Sequence, residues 1–361
     1  MRIRPFHMIL TLLMAGSMVL SACGKPAATV SETGGVERAV VQQTAEALKP
    51  LETEAEAETR APMPTDNPTV DVTEPSASLV DGKYVYAIPE PDRSSLSDLS
   101  DVNALSKALF SDAGQSTDWY FGRTERNLTT GEVTYVWDRA KDTLALLDKY
   151  DAVYRKNEEE KVVYFTFDCG YENGYTEQII DTLNAKGVSG TFFITGDYVR
   201  QAPQIVERMI DEGHILGNHT VNHINMALTD AQTFIDEITG LEKMVRDLRP
   251  DAQPIRYYRP PEGATSEWAL KMADKMDIRT TLWSYTYKDY VTDQQLDHYT
   301  ALENLKGGLH RGCVYLLHAV SSTNAAILGD LIDWIRAQGY EILPLCDIDI
   351  SEANAEAQNN G

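Results

Sequence analysis

Val162-Val163-Tyr164-Phe165-Thr166-Phe167-Asp168-Cys169-Gly170 is the stretch on which the fold turns. A run of β-branched and aromatic residues with almost no polar interruption reads as a strand buried on both faces. The run ends in a carboxylate followed by glycine. Downstream, short β-rich runs at 190–195, 214–217, 257–258, 280–285, 313–317 and 341–345 alternate with stretches of helical spacing. Strand followed by helix, repeated, is the pattern of a parallel sheet with crossover connections. Seven units over about 190 residues predict an α/β fold, a closed or nearly closed (β/α) barrel slightly small for the eight-unit form, with a flat doubly wound sheet as the alternative.

The residues that follow the strands are ionisable: Asp168 after the first, His219 after the third, Arg259 after the fourth, Asp289 just past the fifth, His318 after the sixth. In parallel α/β folds the carboxyl ends of the strands form one face, so these side chains should meet at one mouth. His219 and His223 stand four apart in Gly217-Asn218-His219-Thr220-Val221-Asn222-His223. If the segment turns helical after its strand, both imidazoles can share a metal. Asp168 would be costly to bury alone and needs a partner. Arg259, in Arg259-Pro260-Pro261-Glu262-Gly263, offers a fork that suits a carboxylate, on a backbone stiffened by two prolines. His318 closes an apolar strand with the one side chain that titrates near neutrality, and Asp289 is the candidate to orient it and raise its pKa. A metal, a carboxylate base, an oriented histidine acid and an arginine make up a set for metal-assisted hydrolysis.

Cys169 is a third candidate metal ligand, because a thiolate binds zinc well; the alternative is a thiol that is only a neighbour of the metal. Cys313 and Cys346 are expected at opposite ends of neighbouring strands, about 17 Å out of register, and hence as free thiols.

These five segments resemble, in order and spacing, the motifs of the NodB-type polysaccharide deacetylases (carbohydrate esterase family 4) over residues 154–347. The wording Phe165-Thr166-Phe167-Asp168-Cys169-Gly170-Tyr171-Glu172-Asn173-Gly174-Tyr175-Thr176, with Lys149-Tyr150-Asp151-Ala152 upstream, resembles the delta-lactam-biosynthetic muramic acid de-N-acetylases. The resemblance implies a distorted seven-stranded β/α barrel and a divalent metal, zinc first. It makes Asp168 the general base, Arg259 its tether, His318 the general acid and Asp289 the group that tunes it. The backbone N–H of Glu262 would face the oxyanion, and Tyr171, Tyr290 and Leu316 would bind the substrate, Leu316 in the acetyl pocket. Two residues depart from the family: Cys169 stands where a metal-binding aspartate is usual, and Tyr290 where a tryptophan is common. The implied activity is removal of N-acetyl groups from cell-wall amino sugars, with N-acetylmuramic acid the expected target. A deacetylase of another polysaccharide, or a cell-wall binding lipoprotein without activity, are the alternatives; retention of both an acid and a base weighs against the second.

The rest of the 361-residue chain carries an address and a spacer. Arg2 and Arg4 precede an apolar run at 8–20, too short to span a membrane comfortably but suited to an export signal. The run ends in Leu20-Ser21-Ala22-Cys23-Gly24, which resembles the bacterial lipobox and makes Cys23 the expected lipidation site. Residues 24–95, rich in Ala, Glu, Thr, Pro and Ser, read as a disordered acidic tether. Residues 96–155 read as a structural lead-in, with a helix possible at 99–109, an aromatic cluster at 119–121 and helical spacing at 135–154. The catalytic domain is expected at 156–350 and a disordered tail at 351–361. A formal charge of −23 argues against a nucleic-acid partner, since phosphate binding needs a basic face. The expectation is a monomer held outside the cytoplasm by a lipid anchor.

Overall fold

The computed structural model describes residues 76–80, 83–107, 122–126, 133–137, 141–156 and 158–346. Its organising element is β1, Val162–Cys169, in which all eight residues are buried. Alternation along the strand divides them between two environments. Phe165, Phe167 and Cys169 pack outward with Ile179, Leu183 and Phe192, whereas Tyr164 packs inward with Phe193, Tyr257, Trp283 and Leu316. Each fully buried aromatic of this kind contributes about 1.5–3 kcal/mol of transfer free energy.

Parallel partners extend the sheet on both sides of β1. The strands β2 (Thr191–Ile194), β3 (Ile215–Asn218), β4 (Tyr257–Tyr258) and β5 (Arg279–Thr280) follow in order on one side, and β6 (Cys313–His318) lies on the other. The register sets His318 directly beside Asp168. A short β7 (Glu341–Ile342) pairs with the first residues of β1, leaving its last four for β2. Beyond β5 the chain still serves β4, through Thr281 N–H to the Tyr258 carbonyl, and then reaches β6, where Tyr285 bridges Tyr315. One segment thus joins the two edges, and the sheet curls into the expected distorted seven-stranded barrel.

Among the described residues seven helices between its strands cover it: α1 (Thr176–Ala185), α2 (Gly196–Gln201), α3 (Pro203–Asp211), α4 (Ala231–Leu248), α5 (Glu267–Lys275), α6 (His298–Gly307) and α7 (Ser322–Ala337). Asp230, Ser266, Asp297 and Ser321 each cap a helix by accepting a backbone N–H three residues on, which fixes where α4 to α7 start.

Three expectations are corrected. Residues 76–95 do not belong to a tether: Ser76–Val80 and Lys83–Ala87 form an antiparallel hairpin, and Tyr86 donates to Ser189 Oγ at 2.6 Å. The following residues stay bound to the barrel, with Asp92 N–H donating to Asp277 at 2.7 Å and Arg93 pairing with Glu242. Helical spacing at 135–154 overran a strand, since Val133–Trp137 pairs with Gly122–Arg126 and the helix is only Lys141–Lys149; at 99–109 the helix is one turn, Ser100–Asn103. Finally, β6 and β7 are not neighbours but flank β1 on opposite sides, so the register argument for Cys313 and Cys346 had the wrong strand order. The export signal, Cys23, the cluster at 119–121 and the tail lie outside the described residues.

Candidate active site

The carboxyl ends of β1, β3, β4 and β6 bring Asp168, His219, Arg259 and His318 to one mouth, and Asp289 follows the closing segment into the same place. Asp168 is buried, and its Oδ1 accepts from Arg259 Nη1 at 2.7 Å. Burial alone would push the carboxyl up, but the guanidinium, with smaller help from the two histidines, holds it below the ordinary range. Arg259 is completely sealed from solvent. It also donates to Thr166 Oγ1 at 2.8 Å and to the carbonyls of Leu282 and Thr281 at 2.9 and 3.2 Å, and it lies over the Phe193 ring. With all three guanidinium nitrogens engaged, Asp168 has a fixed counterion and a fixed orientation.

The histidine pair converges by a different route from the one expected. Residues 219–225 form no helix. Thr220 and His223 instead take left-handed backbone angles, φ 68° and 51°, and Thr220 Oγ1 accepts the His223 N–H at 2.9 Å. The rings end 4.8 Å apart at 78°. His219 Nδ1 meets the Arg259 carbonyl at 2.8 Å; a carbonyl only accepts, so the proton is on Nδ1 and the lone pair is on Nε2. Nε2 lies 3.6 Å from Asp168 Oδ2. Burial pushes the His219 pKa down to about 4, which keeps the ring neutral, the form a metal needs.

Cys169 does not join them. Strand alternation turns its thiol to the other face of β1, where it is buried in the outer core, and burial raises its pKa well above the ordinary value. Among the described residues no cluster of three His, Cys, Asp or Glu completes a metal cage.

His318 Nδ1 meets Asp289 Oδ1 at 2.6 Å, and Asp289 Oδ2 accepts the His318 backbone N–H at 2.8 Å. The carboxylate has no side-chain exposure, while His318 keeps 23% of its side chain open to the cleft. Burial works to lower the imidazole pKa, but the Asp289 charge and hydrogen bond overcome it and the net shift is upward. Tyr290 stands edge-on to this ring at 5.4 Å.

The Pro260-Pro261 turn ends at Glu262 and Gly263, both left-handed. The Gly263 and Ala264 N–H groups close on the Pro260 and Pro261 carbonyls; among the described residues that of Glu262 meets no acceptor. Glycine is required at 263, since a Cβ there would stand 2.7 Å from the Trp283 ring. Together these groups line a cleft of about 600 Å³, with Leu316 and Trp283 at its apolar floor and Tyr171 and Tyr290 exposed at its rim.

Several side chains that shape the site were given no role in the reading of the motifs. Asn324, on the first turn of α7, donates to Asp289 Oδ2 at 2.5 Å and accepts from Tyr287 at 2.5 Å. Glu172 holds the loop after β1 through Thr176 Oγ1 and Tyr198 O–H, at 2.5 and 2.7 Å. Asn218 and Glu237 brace the histidine turn. The Ser321 cap, which locates the first turn of α7, was the only local pointer to Asn324.

Residues 155–281 match the family described as polysaccharide deacetylase. The chain is 39% identical over 211 residues, 58% of its length and 80% of the relative's, to the peptidoglycan-N-acetylmuramic acid deacetylase PdaA of Bacillus subtilis. It is 29% identical over 192 residues to a peptidoglycan-N-acetylglucosamine deacetylase of Bacillus cereus, covering 53% of this chain and 68% of that one. Among solved structures, that of Bacillus subtilis PdaA, described as a family 4 carbohydrate esterase, superimposes with a TM-score of 0.60 at 35% identity, over 65% of this chain and 97% of the other. A family 4 carbohydrate esterase from Bacillus anthracis gives 0.53 at 29% identity, over 68% and 98%. Shared fold, shared sequence and the pairing of Asp168 with Arg259 and of His318 with Asp289 lead to one conclusion: the chain belongs to the polysaccharide deacetylases of carbohydrate esterase family 4, hydrolases of carbon–nitrogen bonds.

Proposed function

We propose that this protein removes the acetyl group from N-acetylmuramic acid residues of peptidoglycan, outside the cytoplasm, by metal-assisted hydrolysis. The observation that carries the reading is the pair at the ends of β1 and β6. Asp168 and His318 are register partners whose environments push their pKa values apart, one lowered by Arg259 and the other raised by Asp289. Two titratable groups separated in this way supply a base and an acid at the same pH.

In this scheme Asp168 takes a proton from water as its oxygen adds to the acetamido carbon. The Glu262 N–H receives the developing oxyanion. His318 then delivers its proton to the departing nitrogen, the carbon–nitrogen bond breaks, and acetate and a free amine remain. Leu316 and Trp283 hold the methyl group, and Tyr171 and Tyr290 offer faces to the sugar ring. His219, neutral and with its tautomer set by the Arg259 carbonyl, fits a divalent ion, and it would hold one together with His223. Zinc suits two imidazoles, and when bound it supplies Lewis acidity toward the water and the carbonyl.

Two observations support muramic acid over glucosamine. Lys288 is the only lysine or arginine lining the cleft among the described residues, and it is in no ion pair there. N-acetylglucosamine is neutral, whereas muramic acid carries a lactyl carboxyl function on the carbon next to the acetamido group. The likeness to PdaA points the same way. The freed amine would lie within reach of that lactyl group, so closure to the muramic delta-lactam, with loss of water from a lactyl carboxyl free of stem peptide, can follow. Cys23 would provide the membrane anchor. The test is acetate release from peptidoglycan, assayed with and without its stem peptides and followed by mass spectrometry of the fragments. Deacetylated muramic acid that disappears on chelation and returns with zinc is expected. Loss of acetyl groups from glucosamine alone, or activity that survives exhaustive chelation, would refute the reading.

A further inference from the structure

The turn that carries His219 and His223 holds two non-glycine residues in left-handed conformations, each of which costs on the order of 1 kcal/mol or more in isolation. Something outside the turn must hold it, and α4 is packed against it along one stretch. Asn218 Nδ2 donates to the Ile238 carbonyl at 2.9 Å, and its Oδ1 accepts the Thr220 N–H. A Cβ on Gly240 would stand 3.0 Å from Val221, so helix and turn are in close contact. Next to Ile238 on the same helix sits Glu237, only 7% exposed. Its two oxygens accept the Asn222 backbone N–H at 2.8 Å and the Asn222 Nδ2–H at 2.5 Å. Among the described residues no lysine or arginine pairs with it. A buried carboxylate satisfied only by the peptide and side-chain amides of one turn residue is an unusual expense unless the geometry of that turn matters.

We infer that Glu237 is a positioning residue for the metal: by clamping Asn222 from both sides it holds His219 and His223 at one point before any ion arrives. This rests on the two-histidine metal reading given above. Both hydrogen bonds end on carboxyl oxygens, so the isosteric Glu237→Gln removes the charge and keeps an acceptor for only one of them, and Asn222 must turn its amide over to keep the other. Partners of this kind outside the ligand set commonly change metal affinity by 10–100-fold.

The experiment measures zinc dissociation constants of the full chain by competition with a chromophoric chelator, alongside the melting of the metal-free protein. Expected are at least a tenfold weaker constant for Glu237→Gln and a smaller loss for Asn222→Ala, which removes one of the two bonds from an exposed position. Asn222→Ala decides the matter if Glu237→Gln does not fold. A folded variant that keeps zinc affinity within twofold of native, with only its melting temperature lowered, would show a structural role and overturn the inference. A native chain that binds no zinc would overturn the metal reading itself, and the inference with it.

Discussion

Replacing Asp289 by asparagine probes the acid half of the site most directly. The substitution keeps shape but removes the charge that raises the His318 pKa above its ordinary 6.5. It also places an amide where Oδ2 accepted from the His318 N–H and from Asn324, so one oxygen must serve three donors. With His318 no longer held protonated, the basic limb of the kcat/KM profile should move to lower pH. At pH 8 the loss should be about 10²–10⁴-fold, the usual contribution of a positioned general acid, or roughly 3–5.5 kcal/mol of barrier. Stability should fall by about 3 kcal/mol, the low end for breaking a buried pair, because His318 is partly open to solvent. The sign of its pH dependence is fixed: a raised histidine pKa stabilises the fold fully below the unfolded value and loses that effect as pH rises through the folded one. The gap between native and variant in urea melts should therefore be widest below pH 6.5 and shrink above it. A profile whose basic limb does not move would refute the role given to Asp289, whatever the drop in rate.

Other expectations concern the base, the core and the anchor. Arg259→Met should shift the acidic limb upward and cost about 3–5 kcal/mol at pH 7, because the lowered Asp168 pKa stabilises the native state only above its ordinary range and that contribution would be gone; an unmoved acidic limb would argue against the ion pair. Cys169→Ala should leave zinc affinity and kcat unchanged and cost about 1–2 kcal/mol, while Cys169→Asp, facing the apolar outer core, should destabilise the fold and not tighten metal binding. Metal analysis and thermal melts of both variants check this. Cys23→Ala should appear in the soluble fraction with unchanged specific activity, read by fractionation.

What the sequence disclosed and what it concealed follow from range. Asp168, Arg259 and His318 were legible because each ends an apolar run, and strand ends in a parallel sheet meet at one face. The two histidines were legible as a pair, but not the left-handed turn at Thr220 and His223 that brings them together, because its bracing by Glu237 comes from a helix fifteen residues on. Position 169 stayed open for a related reason: adjacent residues on a strand face opposite ways, so closeness to Asp168 in sequence meant separation in space. Strand order likewise escaped local reading, since nothing in β7 marks which edge of β1 it will join. At 76–95 the composition suggested a spacer, but Tyr86 and Arg93 find partners more than a hundred residues away.

Arg259 touches parts of the molecule that are far apart along the chain: Asp168 and Thr166 from β1, and the carbonyls of Thr281 and Leu282 where the ring closes. The counterion of the base therefore reaches its place only after nearly the whole barrel has come together. In the closed barrel burial alone would push the Asp168 carboxyl up, so its low pKa depends on that same closure. Competence here is an all-or-none property of closure.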